Sequence, residues 1–325
     1  MADAAGEENV YFASCAEDGG IYHYRLDKDG RLRLAGIIPC DRPMYMAKSR
    51  GMLHVILREP FPDNGFSGII SYKINSGGEL YAPSGIMNTR GRCGCHLCVF
   101  HDRLYAVNYL SGNVFCSDGT VRTHHGRGVR PDRQEAPHTH YIGPAPDGRK
   151  LLVTDLGLDR IFIYDGGLNL AGSVELPEGS GPRHIASADD SHVFCVNELD
   201  CSVSMLEYKD GKLVLLQTIS LLGPGSQART GGAAIRTDGG YVYVSNRWDD
   251  TISVIRLEAG RMYLESAWPC GGKSPRDFQV AGNLMLCANQ ESSTVTIFNT
   301  HKGRLAPAGT GEAVRIPEVL CVCVG

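Results

Sequence analysis

The sequence predicts an all-β fold, a seven-bladed β-propeller whose last blade is closed by the C-terminal strand plus N-terminal strands. Three observations predict it. A strand–loop–strand–turn pattern recurs along the chain. The glycines in its turns keep a period of roughly 45 residues, the range of propeller repeats with several strands per unit. The chain ends on an apolar strand, VLCVCV, with no hairpin partner beside it.

The repeat is clearest in five segments. They are LYAVNYLSGNVFCSDGT from Leu104, LLVTDLGLDRIFIYDGG from Leu151, VFCVNELDCSVSMLEYKDGK from Val193, VYVSNRWDDTISVIRLEAGR from Val242 and MLCANQESSTVTIFNTHKGR from Met285. Looser copies start at Val10 and Leu53. The turn glycines are Gly30, Gly78, Gly119, Gly167, Gly211, Gly260 and Gly303, spaced 41 to 49 residues apart. No stripe at i, i+3, i+4 competes, which excludes helical repeats, although alternation from Ser202 to Glu207 is imperfect. Seven such units fill residues 1–325 as a single propeller domain.

Each unit reads as four strands, a to d, and each quoted run supplies b and c. Strands a are expected to begin near Met44, Cys95, His138, Arg183, Ala233 and Arg276, with Val319–Val324 as the seventh. The seventh takes its b, c and d partners from Val10–Ser14, Ile21–Leu26 and Leu34–Pro39. Closure of this kind removes two exposed sheet edges.

Strand a lines the central channel and b runs antiparallel beside it, so starts of a and ends of b share one mouth. Starts of a carry His138 and His140 (PHTH), Arg183 and His184 (GPRH) and Arg276 (SPRD). Ends of b carry Asn108-Tyr109, Asp155-Leu156, Asn197-Glu198, Asn246-Arg247 and Asn289-Gln290. Convergent polar groups in a concavity are the default site. The competing bland readings are turn residues bonding their own backbone for the Asn and Asp, and a channel salt bridge for Glu198 and Arg247. His138 and His140 share strand parity, and one of them is expected to be only a structural donor. Counting back from the Asp147-Gly148 turn puts His140 one residue out of step with Arg183.

Other motifs fail on spacing. CGCHLC (Cys93–Cys98) would place its ligands on both sides of a strand, and no second Cys/His pair has zinc spacing, so no metal is expected. GGKS at Gly271–Ser274 lacks the first glycine of a phosphate loop, with Ala267 in its place. The basic run Arg122–Gln134 reads as a loop between blades that overhangs the mouth.

In order, PDRQEAPHTHYIGPAPDGRKLLVTDLGLDRIFIYD, GPRHI, VNEL, YVYVSNRWDDTISV, SPRDF and LCANQESSTVTIF resemble the lactonase family of seven-bladed propellers. That family includes the propeller-type 6-phosphogluconolactonases of bacteria and the fungal carboxymuconate-lactonizing enzyme. Its proposed catalytic histidine resembles His140, its two arginines Arg183 and Arg247, and its glutamate Glu198. The resemblance implies hydrolysis of an anionic sugar lactone, with 6-phosphogluconolactone as the expected substrate and no cofactor. His140 would act as base toward water, with Glu198 orienting it or sharing the proton work. Arg183 and Arg247 would stabilise the oxyanion, and Arg276, His138, His184 and Gln290 would hold the phosphate or carboxylate. The strands GGAAI and CGCHL lack a charge, and EPFPDNGF near Phe61–Gly65 is expected to reshape the entrance. Three alternatives stay open: lactonization of a muconate-type dicarboxylate, a non-catalytic interaction module, and a Ca²⁺ site from Asp155, Asn197 and Glu198.

Composition bounds the rest. With 32 Lys and Arg against 36 Asp and Glu, the net charge of −4 gives no basic excess for nucleic acid. No apolar run approaches a membrane span, and MADAAGEENVYF lacks the basic and apolar regions of a signal peptide. The 12 cysteines are expected to be reduced and mostly buried in a cytoplasmic protein, a monomer or weak homo-oligomer.

Overall fold

The computed structural model describes residues 6–222, 231–238, 240–309 and 311–325. Among them the chain forms seven antiparallel sheets arranged as a seven-bladed β-propeller. Six blades run in chain order from a to d, with inner strands Pro43–Ser49, Gly94–Phe100, Thr139–Pro144, Pro182–Ser187, Gly232–Asp238 and Pro275–Ala281. Blade 7 combines Val319–Val324 with Glu8–Ser14, Gly20–Leu26 and Leu32–Pro39, pairing Val10 with Val324 and Phe12 with Val322. The expected closure is therefore present, and so are the inner strands within a residue or two. Part of MADAAGEENVYF lies outside the described residues.

Blade geometry explains the burial pattern. Each sheet packs both faces against neighbouring blades, so the strands next to the innermost are buried on both sides. Leu151–Asp155 is buried at every position, whereas the outermost strand Leu32–Pro39 alternates between half-buried and exposed. Seven hydrophobic clusters fill the seven gaps between blades. Leu152, Ile185 and Cys195, for example, pack blade 3 on blade 4. This also explains the imperfect alternation of Ser202–Lys209, whose first five residues are all buried.

All seven turn glycines lie between strands c and d. Six have positive φ, including Gly30 at 82° and Gly211 at 75°. In the remaining turn Leu168 (φ 56°) takes the left-handed position after Gly167. That conformation is cheap for glycine and strained for leucine, which accounts for the glycine period. Among the described residues no helix is long and apolar enough to cross a membrane. None of the twelve cysteines is paired.

Candidate active site

Two backbone devices, each repeated in all seven blades, build the mouth of the channel. The first is a bulge near the start of strand a. Pairing skips Met44, Cys95, His140, Arg183, Arg276 and Leu320 singly, and Ala233 with Ala234 in blade 5. A bulged residue leaves the ladder and its side chain is re-aimed. The second is one hydrogen bond across the blade: a residue on the b side donates its N–H to the carbonyl just before strand a. The donors are Cys15, Arg58, Tyr109, Leu156, Glu198, Arg247 and Gln290, at 2.7 to 3.2 Å. These two rings of seven form the mouth.

His140 and Arg183 are thus equivalent, which corrects the offset expected from the sequence. The a–b turn of blade 3 closes with Ala145 N–H on Lys150 O, that of blade 4 with Ala188 N–H on His192 O. One more residue in the first turn shifts any count made from it.

Glu198 is the hub. It is 4% exposed. Its Oε2 accepts from Arg183 Nε at 3.0 Å and pairs with Arg247 Nη2 at 2.9 Å, and its Oε1 accepts from Arg133 Nη2 at 2.6 Å. Arg183 also donates Nη1–H to Ala233 O at 2.7 Å. Arg247 lies 5.3 Å over the Trp248 ring. Arg276 reaches Gln290 Oε1 at 3.5 Å. Four guanidiniums therefore gather round one carboxylate. On the other arc Cys15, Met44 and Leu320 share one apolar cluster, with Arg58 beside Cys15.

Charge follows from this placement. Burial works against the Glu198 carboxylate, but Arg247 and Arg183 outweigh it, and its pKa falls well below the usual range. Burial, then Arg247 and Arg276, push Arg183 down to about 9, still charged at neutral pH. Burial and Arg183 hold His140 well below the ordinary histidine value, so its imidazole is neutral. His140 Nδ1 stands 3.9 Å from Cys95 Sγ, and its ring meets Tyr109 edge-on at 5.6 Å. No hydrogen bond joins it to Glu198 among the described residues.

The structure brings together His140, Arg183, Glu198, Arg247, Arg276 and Gln290. The two other histidines stand against this group: the His184 ring meets the His140 ring edge-on at 5.4 Å. His138 precedes strand a, stacks on Tyr109 at 4.3 Å and faces two acceptors, Tyr109 O at 3.0 Å and Glu135 Oε1 at 3.1 Å. Its ring is committed to structure. His184 follows the bulge at Arg183 and, while touching His140, also lines a cavity toward the far end of strand a. The bulge turns successive residues to different levels of the channel.

Two contributors, Arg133 and Arg58, went unnoticed in the sequence. Arg133 comes from the basic loop, whose overhang of the mouth is confirmed by its bond to Glu198. Tyr109 and Arg58 hold the same ring position as Glu198. Arg58 is hidden in the sequence because its strand runs on to Phe61 and turns back at Phe66, so no strand end marks it. That long hairpin rises on the mouth side.

The strand-end amides are also corrected. They are buried and mostly clasp strand c instead of their own backbone. Asn197 Nδ2 donates to Ser202 at 2.8 Å and Ser204 at 3.0 Å. Asn246 reaches Thr251 and Ser253, and Asn289 reaches Thr294 and Thr296. Asp155 alone bonds its own turn, at Gly157 N, and also grips His124. With Asp155 and Asn197 engaged inside blades and Glu198 among arginines, the three do not converge on a cation. No cluster suited to a metal occurs among the described residues.

Comparison with known proteins agrees with this architecture. A family described as "Lactonase, 7-bladed beta-propeller" matches residues 9–324. An uncharacterized protein of Staphylococcus aureus is 30% identical over 322 residues, 90% of this chain and 93% of that protein. A candidate 6-phosphogluconolactonase of Bacteroides fragilis superposes with a TM-score of 0.89 at 22% identity, covering 100% of this chain and 99% of that one. A periplasmic gluconolactonase of Pseudomonas aeruginosa gives 0.87 at 24% identity, covering 98% and 99%. At these identities the structural likenesses speak for the fold, and the family match covers nearly the whole chain: the protein belongs to the lactonase family of seven-bladed β-propellers.

Proposed function

We propose that the chain hydrolyses a phosphorylated sugar lactone, with 6-phosphogluconolactone the substrate the mouth suits best. One observation carries this reading: Arg133, Arg183, Arg247 and Arg276 crowd one carboxylate beside a neutral imidazole, in a protein of net charge −4. Such a surplus of guanidinium N–H groups suits both a phosphate and a developing oxyanion. The lactonase family membership supports the reaction class.

Neutral His140 takes a proton from the water that attacks the lactone carbonyl. Spare N–H groups of Arg183 and Arg247 receive the oxyanion, an effect of about 3–4 kcal/mol for a well-placed donor. Collapse breaks the bond between the acyl carbon and the ring oxygen, and the His140 imidazolium returns its proton to that oxygen. Arg276, Gln290 and Arg133 hold the phosphate. Glu198 is too firmly ionised and too fully bonded for proton transfer. Its work is to hold three guanidiniums in position. The twelve unpaired cysteines support a reducing compartment such as the cytoplasm.

The test is turnover of 6-phosphogluconolactone with spontaneous hydrolysis subtracted. His140→Ala and Arg183→Ala are each expected to lower kcat by roughly 10²-fold or more. Near wild-type rates in both would remove these roles. Preferential turnover of a muconate-type dicarboxylate would redirect the same cations to lactonization.

A further inference from the structure

A cavity opens toward the far end of the channel, and the proposed lactone chemistry makes no use of it. Its volume is about 380 Å³, within the range of small-ligand sites. Four rings from four successive blades wall it: Tyr45, His96, Tyr141 and His184. Tyr45 and His96 lie 4.1 Å apart, His96 and Tyr141 4.5 Å, His96 and His184 5.2 Å. Arg236 and Gln279 complete the polar lining.

The polar atoms of this lining are largely unpaired. His184 faces the cavity, and neither of its ring nitrogens has a protein hydrogen bond among the described residues. The Tyr45 and Tyr141 hydroxyls have no protein partner there either. His96 Nδ1 accepts Ile142 N–H at 3.4 Å, which leaves Nε2 open. Arg236 donates to Gln279 Oε1 at 2.9 Å, Ile235 O at 2.8 Å and Asp277 Oδ1 at 2.8 Å, leaving two of its five N–H groups. Gly143 keeps the phenol in place: a Cβ there would stand 2.2 Å from Tyr141 Oη.

These atoms open into the cavity and are free to pair with an occupant that offers both donors and acceptors. Charge narrows the class. Asp277 already matches Arg236, and no other ionised group lines the wall, so an added anion would stand unbalanced in a buried site. Aromatic faces accept C–H surfaces, while the phenols and the guanidinium donate and the imidazole nitrogens accept. We propose that this cavity binds a small uncharged polyhydroxyl molecule of monosaccharide size, gripped by Tyr45, Tyr141, His184 and Arg236. The cavity abuts the mouth where His184 meets His140 at 5.4 Å, but none of its lining residues takes a step in the proposed lactone reaction.

Glucose titrated into the full chain, followed by the imidazole NMR signals of His96 and His184, tests it. Saturable shifts are expected. The double variant Tyr45→Phe/Tyr141→Phe should weaken binding about tenfold. Ala186→Leu, which fills the cavity from its wall, should abolish it, and Arg247→Gln at the mouth should leave it unchanged. No saturation, shifts that survive Ala186→Leu, or displacement of glucose by acetate would overturn the assignment. Loss of lactonase activity with glucose binding intact would sink only the catalytic reading.

Discussion

Glu198 decides how the mouth holds together. Its carboxylate neutralises guanidiniums that would otherwise repel one another at close range, and its Arg183 partner is equally buried. Removing one partner of a buried ion pair leaves an uncompensated charge, which costs about 3–5 kcal/mol. Glu198→Gln is therefore expected to lower stability by about 3 kcal/mol or more. Arg133 is 40% exposed on its side chain. Solvent screening limits that pair, so Arg133→Ala should cost about 1 kcal/mol or less. Inorganic phosphate should restore part of the Glu198→Gln loss, because an anion can take the vacated place among the arginines. Urea midpoints with and without phosphate check both statements. A Glu198→Gln protein as stable as wild type would mean that the carboxylate does not organise the cluster.

At the scale of the element, the amide clasp ties strand b to strand c just where a mouth residue follows. Asn246 is buried, and Arg247 comes next. Asn246→Ala would strip Thr251 and Ser253 of their donor, and a buried polar group left unpaired costs about 1–3 kcal/mol. The urea midpoint should fall accordingly, and it should not move for Asn299→Ala on the exposed face of a strand c. Equal effects would show that the clasp carries no special weight. The clasp was legible in principle: Asn followed at five and seven residues by Ser or Thr occurs in VNELDCSVS, SNRWDDTIS and ANQESSTVT. Read one at a time, each amide looked like a turn former. Strand order placed His140, Arg183, Glu198, Arg247, Arg276 and Gln290 correctly, because antiparallel neighbours share an end. It also put His184 beside them, where its ring meets that of His140 at 5.4 Å, although the bulge at Arg183 lets it line the cavity beyond as well. It overlooked Arg133, because a loop has no period from which its reach can be read.

The ring as a whole depends on a strand that joins its two ends. Glycine spacing and the unpartnered VLCVCV made this closure readable from sequence, since both follow from backbone geometry and not from side-chain detail. Val319, Leu320, Cys321, Val322 and Cys323 are all buried, in the clusters that join blade 7 to blades 6 and 1 and blade 1 to blade 2. Burying one Val or Leu side chain contributes about 1.5–3 kcal/mol. Losing this strand would remove stabilisation comparable to the roughly 5–15 kcal/mol net stability of a folded domain. It would also bare the ladder edge of Glu8–Ser14. A chain ending at Glu318 is therefore expected to lose its cooperative urea transition. Gly325 N–H bonds Asn9 O at 2.7 Å, so the last residue lies beside the first described strand. A circular permutant that links them and opens between Pro39 and Pro43 keeps every blade, and it should unfold at nearly the wild-type midpoint. A stable, cooperative truncation, or a permutant that fails to fold, would show that the two-ended blade is not what holds the ring closed.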